Sequence, residues 1–121
     1  MLAISCGATS GASTTYGFSR YNLASRQAMP ALPALPGPNG VRYGPDGRLF
    51  GTNSGLHEAT DFWVYNADSS LKYKTLLNGG SSVNLVEERS LRVSGDGFLA
   101  VVGMIPDNSS TGSLKIVPVG P

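Results

Sequence analysis

Short apolar runs alternate along this chain with clusters of glycine, proline, asparagine, aspartate and serine. The runs are 4 to 8 residues long and rich in valine, isoleucine, leucine, phenylalanine and tyrosine. Runs of this length, bounded by turn-forming residues, are typical of β-strands, and none is long enough for a good helix. The pattern therefore predicts an all-β chain of antiparallel sheets with negligible helix.

The order of these runs repeats along the chain. Residues 41–51 align with residues 91–101 at an offset of 50, which superimposes two Asp-Gly pairs and places Arg42 over Arg92. Residues 18–23 align with residues 62–67 at an offset of 44. Self-similarity at a nearly fixed period of about 45 to 50 residues is the signature of stacked supersecondary units.

The Asp-Gly pairs predict tight hairpin turns at residues 45–47 and 95–97. Glycine adopts positive φ without strain there, and aspartate hydrogen-bonds to nearby backbone. Longer polar loops are expected at residues 7–17, 53–61 and 104–112. The proline-rich segment 29–38 fits an edge strand and connector better than an SH3-type ligand, because an outward-facing edge tolerates proline.

Residues 40–49, together with the run Phe62-Trp63-Val64-Tyr65-Asn66, resemble β-propeller blades of the WD40-like or YVTN type. The proline-rich stretch before Gly40 is similar to linkers of phage-type WD40-like repeat proteins. The resemblance implies one β domain of about two and a half four-stranded blades. These would be a partial blade without its inner strand at 1–35, a complete blade at 36–80 and a partial blade ending after its third strand at 81–121. It also implies a virion or an extracellular surface as the location.

Composition and charge narrow the classes of function. The chain has 121 residues and a mass of 12.6 kDa, enough for one modest domain. Nine Lys and Arg against eight Asp and Glu leave a net charge of +1, so we expect neither a nucleic acid nor a membrane as partner. Cys6 is the single cysteine, which excludes an intrachain disulfide and a C-x-x-C redox pair.

The one histidine is the first candidate for chemistry. His57 and Glu58 lie in a polar loop with Asp61, where they could bind a cation or act as acid and base. Solvated loop surface is the more typical role of such residues. A metal held by Glu58, Asp61 and Asp107 would support an enzyme, but the pattern predicts no metal, no cofactor and no catalytic residue.

The repeated arginines are the stronger candidates for ligand or partner binding. Arg42 and Arg92 stand at the same place in successive repeats, facing away from their apolar neighbours on each strand. Two guanidinium groups near a propeller axis could hold a carboxylate, a phosphate or an acidic side chain of a partner. The alternative is an ion pair within each unit, with Asp46 or Asp96.

Aromatic residues of the third strands form a second candidate site. Trp63 and Tyr65 face one side of their strand, and Phe62 and Val64 face the other. If the Trp63 and Tyr65 side is exposed, it offers a platform for a sugar ring or for a protein partner.

These observations predict a non-catalytic structural or binding module that works within a multi-chain assembly. The partners would be copies of itself or other protein chains, bound through terminal strands at residues 2–7 and 113–119. Two alternatives are a fragment of a gluconolactonase-like, metal-dependent propeller hydrolase and a few-bladed lectin that binds carbohydrate.

Overall fold

The computed structural model describes residues 1–34, 38–53, 60–77, 84–87, 89–106 and 111–121. These residues contain strands and turns but no helix, so the predicted all-β fold is confirmed. No helix of the length and apolarity needed to cross a membrane occurs in this part of the chain. The strands are β1 Leu2–Ser10, β2 Ser13–Asn22, β3 Gln27–Pro33, β4 Pro38–Tyr43, β5 Leu49–Asn53, β6 Phe62–Tyr65, β7 Leu71–Thr75, β8 Asn84–Val86, β9 Arg92–Val93, β10 Leu99–Pro106 and β11 Ser113–Pro118.

The strands form three antiparallel sheets, each from one stretch of the chain. Sheet 1 has the order β1-β2-β3, and sheet 2 has the order β4-β5-β6-β7. In sheet 3, β11 and β8 flank β10, and β9 pairs with the same side of β10 nearer its start. Short β8 and β9 thus share one edge of sheet 3, and β11 forms the other.

Both predicted Asp-Gly turns are confirmed. The amides of Gly47 and Gly97 donate to the carbonyl three residues earlier, at 3.2 and 2.9 Å, and both glycines have positive φ. In each turn the aspartate carboxylate accepts the amide two residues further on, that of Arg48 or Phe98. Aspartate therefore fixes the turn through its own backbone neighbours.

A third turn of the same design, at residues 66–69, was not predicted because it lacks glycine. Ser69 has a φ of 75° and donates its amide to the carbonyl of Asn66. Asp68 accepts the amide of Ser70 at 2.9 Å, as the aspartate does in the other two turns. The element that all three turns share is thus the aspartate, and serine takes the position that glycine holds elsewhere.

The predicted loop at residues 7–17 is wrong. β1 and β2 continue through this stretch as one hairpin, paired from Gly7 with Tyr16 to Ser10 with Ser13. Cross-strand threonines favour the extended conformation, and the Thr9 and Thr14 hydroxyl oxygens lie 3.0 Å apart. The other two predicted loops fall partly outside the described residues.

The proline-rich segment does form an edge strand. β3, which contains Pro30 and Pro33, pairs with β2 alone and is the edge of sheet 1. β4 begins at Pro38 and is the edge of sheet 2. Residues 35–37 between them lie outside the described residues. Proline is accepted in both strands because its missing N–H falls where no ladder partner is needed.

Sheet 2 is packed between the other two sheets. Phe50, Phe62 and Val64 on one face of sheet 2 pack in a cluster with buried residues of sheet 3, which include Val102 and Met104. On the opposite face, the buried residues that pack with Phe18 and Leu32 of sheet 1 are Leu49, Trp63 and Tyr65. The fold is therefore a stack in the order sheet 1, sheet 2, sheet 3.

The contact between sheets 1 and 2 depends on Gly51. The Phe18 ring lies directly over this glycine, with its Cε2 and Cε1 at 2.6 and 2.8 Å from the place that a Cβ would occupy. Phe18 is fully buried and packs edge-on against Trp63, with ring centroids 5.9 Å apart. Only glycine leaves room for this ring between the two sheets.

Tyr43 buries a hydroxyl in the same interface without a hydrogen-bond partner among the described residues. Burial raises the pKa of this phenol, and the positive charge of nearby Arg20, together with its contact to the hydroxyl, offsets only part of that effect. An unsatisfied buried hydroxyl costs free energy, so we expect Tyr43→Phe to leave the free energy of unfolding unchanged or to raise it by up to about 1 kcal/mol.

Urea denaturation tests this prediction, with Tyr65→Phe as the matched control. The Tyr65 hydroxyl donates to the Pro33 carbonyl at 2.9 Å, so its removal should cost about 1 kcal/mol. A loss of stability in Tyr43→Phe as large as that in Tyr65→Phe would contradict the expectation.

Candidate functional site

One edge of the stack brings together strands from all three sheets. β1 contacts β4, and β4 contacts β9. A cavity of about 310 Å³ lies between β1, β4 and the segment just before β9. Its lining includes Ala3, Val41 and Leu91 among the apolar residues and Asn39, Arg42 and Arg89 among the polar ones. Arginine side chains therefore border the space where the three sheets meet.

Arg42 and Arg92, which the repeat singled out, come together at this edge. Arg42 Nε donates to the carbonyl oxygen of Leu91 at 3.5 Å, and Arg92 Nη1 donates to the same oxygen at 2.9 Å. Arg92 Nη1 also donates to the Arg89 carbonyl at 2.7 Å. Two exposed guanidinium groups thus share one backbone acceptor.

The alternative of an ion pair with the turn aspartate is wrong for both arginines. Asp46 pairs with Arg48, whose Nε lies 2.5 Å from the carboxylate. Asp96 accepts hydrogen bonds from the Ser94 hydroxyl and the Phe98 amide. The turns use their aspartates locally, so these carboxylates are directed toward their own loops and not toward the strands that carry Arg42 and Arg92.

Trp63 and Tyr65 do not form an exposed platform. Their exposed fractions are 5% and 6%, and Phe62 and Val64 on the opposite face are buried as well. The sequence prediction assumed that one face of β6 would be less buried, but sheet 2 is covered on both faces. The aromatic surface proposed for a sugar ring or a protein partner is therefore absent, and both residues belong to the packing between sheets 1 and 2.

The predicted acidic group lies only partly within the described residues. His57, Glu58 and Asp107 fall outside them. Asp61 is fully buried, and its carboxylate accepts the Leu77 amide at 2.6 Å, which ties β6 to the chain after β7. Within the described ranges, no three His, Cys, Asp or Glu side chains lie together as metal ligands. The described part of the predicted group therefore supports the fold locally.

Two buried arginines that the sequence did not single out join the sheets. Arg20 donates from Nε and Nη2 to the Pro30 carbonyl and from Nη1 to the Ser69 hydroxyl at 2.8 Å. Arg48 donates to the carbonyls of Gly97 and Gly120 at 2.6 and 2.7 Å. Each arginine reaches the positive-φ residue of a turn in the next sheet. The available signal for Arg20 was its alternation with Phe18 in β2, and that for Arg48 was its position directly after the Asp46-Gly47 turn and before β5.

Four hydrogen bonds between successive sheets have the same spacing along the sequence. In each of four hydrogen bonds the donor is a side chain of the earlier sheet, and the acceptor lies 49 residues further on. The pairs are Arg20 with Ser69, Arg42 with Leu91, Arg48 with Gly97 and Lys72 with Pro121. These four contacts run from the earlier to the later sheet at both interfaces, while the Tyr65 hydroxyl of sheet 2 donates back to Pro33 of sheet 1.

The two ends of the stack present apolar side chains to solvent. On the outer face of sheet 3, Leu114 and Ile116 are 73% and 67% exposed, beside Leu99 and Ile105. On the outer face of sheet 1, Leu2 and Ile4 are 53% and 56% exposed. Contiguous apolar faces of this kind mark interaction surfaces on soluble proteins.

No protein-family model, no curated protein and no solved structure matches this chain. The geometry of the arginine cavity and of the two end faces therefore carries the functional argument.

Proposed function

We propose that this chain is a non-catalytic structural and binding module that works within a multi-chain assembly through propeller-like stacking of its sheets. The observation that carries the proposal is the pair of open apolar faces, one at each end of the stack. A sheet that is apolar on its outer face gains free energy when a second layer covers it. Each fully buried leucine or isoleucine contributes about 1.5 to 3 kcal/mol.

The direction of the internal contacts favours a head-to-tail arrangement. Sheet 2 lies on the Phe18 face of sheet 1, and sheet 3 lies on the Phe62 face of sheet 2, and at each interface a buried arginine of the earlier sheet donates to the later one. If the series continues, sheet 1 of a second copy packs on the outer face of sheet 3, the face that carries Leu114. Such a heterologous contact forms a ring if its rotation closes.

The number of sheets favours a ring of two copies. One chain supplies three sheets, so two chains supply six. Closed propellers typically have 4 to 8 blades, and a third copy would exceed that range. The ring would bury the outer faces of sheets 1 and 3 twice, once at each junction.

Light scattering tests the assembly. We expect the wild-type chain at micromolar concentration to have twice the chain mass of 12.6 kDa. Ile116→Glu places a charge in the proposed junction and should convert the dimer to monomer, because an unpaired buried charge costs several kcal/mol. Ser113→Glu adds the same charge on the same strand but on the opposite face, and should leave the mass unchanged.

A mixing experiment tests the direction of the contact. Ile4→Lys should also give monomers, and a mixture of Ile4→Lys with Ile116→Glu should restore the dimer, because the introduced ammonium and carboxylate groups would then face each other at one junction. A sheet 3 to sheet 3 contact would not be rescued in this way. A well-folded wild-type monomer at these concentrations would refute the assembly.

A further inference from the structure

Arg42 and Arg92, at the edge where the three sheets meet, use only part of their hydrogen-bonding capacity among the described residues. A guanidinium group carries five N–H donors. Among the described residues, Arg42 uses its Nε toward Leu91, and Arg92 uses its Nη1 toward Leu91 and Arg89. The ion pair between Arg48 and Asp46 is the one described salt bridge, so no carboxylate described here neutralises Arg42 or Arg92.

Two positive charges held at one carbonyl oxygen repel each other. An anion between them would be attracted by both, which would make the total electrostatic energy of the group favourable. The backbone already fixes part of each side chain. Arg92 is anchored by two carbonyls, and Arg42 is directed toward the same point from the neighbouring sheet. Among the described residues, the remaining N–H groups of both arginines have no hydrogen-bond acceptor.

The adjoining cavity has space for a small ligand. Its volume is about 310 Å³, and Ala3, Val41 and Leu91 form its apolar part. Asn39 is held in place, because its Nδ2 donates to the Val86 carbonyl and its Oδ1 accepts the Thr52 hydroxyl. Arg42 and Arg89 line the cavity, and Arg92 lies beside it, bound to the carbonyl oxygens of Leu91 and Arg89.

We propose that an oxyanion, the carboxylate or phosphate group of a small molecule, binds at the edge of this cavity, between the guanidinium groups of Arg42 and Arg92, which meet at the Leu91 carbonyl. A planar guanidinium matches two oxygens of such a group in parallel hydrogen bonds. Arg89 adds positive charge at the rim. All three arginines belong to one copy of the chain, so the charged groups of the site do not depend on the proposed assembly.

Nitrogen-15 NMR of the arginine Nε–H signals tests the site directly. Inorganic phosphate and succinate are titrated separately at constant ionic strength, set with sodium chloride. The signals of Arg42 and Arg92 should shift and saturate, while those of the buried Arg20 and Arg48 should not. Saturation by both probes, or by one alone, supports the site and identifies which oxyanion it prefers. Saturation by neither overturns the proposal.

Substitutions separate specific binding from general attraction to positive charge. Arg42→Gln and Arg92→Gln should each weaken binding about tenfold or more, the loss of one charge-assisted contact. Arg92→Lys keeps the charge but loses the fork, and should fall between the wild type and Arg92→Gln. Lys74→Gln removes the same charge from exposed β7 and should change the affinity less than twofold. Equal effects of all these variants would also overturn the proposal.

Discussion

Replacing Gly51 with alanine is expected to lower the free energy of unfolding by about 3 kcal/mol, at the upper end of what overpacking usually costs. The added methyl would meet the Phe18 ring, whose Cε2 and Cε1 lie 2.6 and 2.8 Å from its position. The ring has no space to move, because it is fully buried and packs against Trp63. Chemical denaturation measures the loss.

A double-mutant cycle assigns that loss to the ring. Phe18→Leu frees part of the space above Gly51, so Gly51→Ala should cost at least about 1 kcal/mol less in the Phe18→Leu background. Gly95→Ala is the matched control, since a Cβ there meets nothing within 4 Å and φ is not positive. Its effect should stay within about 0.5 kcal/mol. Additive effects of Gly51→Ala and Phe18→Leu would show that the clash lies elsewhere.

The local elements of this fold could be predicted from sequence because their causes are local. The Asp46 and Asp96 turns depend on residues two or three positions apart, and short apolar runs bounded by turn residues are nearly sufficient for strands. The edge position of the proline-rich strand follows from one missing N–H. The β1-β2 hairpin was missed because its small polar residues, such as Thr9 and Thr14, resemble loop composition.

The arrangement of the sheets could not be predicted from sequence, because the pattern of a single strand does not say which other sheets cover it. Alternation placed Trp63 and Tyr65 on one side of β6, but not whether another sheet covers that side. Both sides are covered because sheet 2 is in the middle of the stack. The aligned arginines did mark a real convergence, since Arg42 and Arg92 meet at Leu91, although the alternative of ion pairs with Asp46 and Asp96 is wrong.

The burial of Arg20 and Arg48 could not be predicted from the sequence either. An arginine in a strand of mixed composition, such as Arg20 in β2, could equally face solvent. Its burial is tolerated because backbone carbonyls and a serine hydroxyl on another sheet accept its hydrogen bonds. Those acceptors are up to 49 residues away in sequence, so only the assembled stack identifies them.

Arg48→Met is expected to lower the free energy of unfolding at neutral pH by about 3 kcal/mol. Arg48 is 4% exposed, and its guanidinium joins the Asp46 turn to the carbonyls of Gly97 and Gly120. Methionine fills much of the volume but leaves those buried acceptors without donors. Arg42→Met is the control, because Arg42 is exposed and its described hydrogen bond goes to Leu91 alone, so its effect should stay within about 0.5 kcal/mol.

The pH dependence of the same variant isolates the ion pair. Partial burial acts to raise the pKa of Asp46, but the hydrogen bonds and positive charge of Arg48 outweigh it, so the pKa lies below the ordinary value of 3.8. A lowered folded-state pKa contributes stability above the unfolded value, and this contribution is lost as the pH falls through the folded value. The stability difference between wild type and Arg48→Met should therefore shrink between pH 7 and about pH 3. Urea denaturation at both pH values measures it, and an equal difference at both would mean that the hydrogen bonds to Gly97 and Gly120 account for the whole effect.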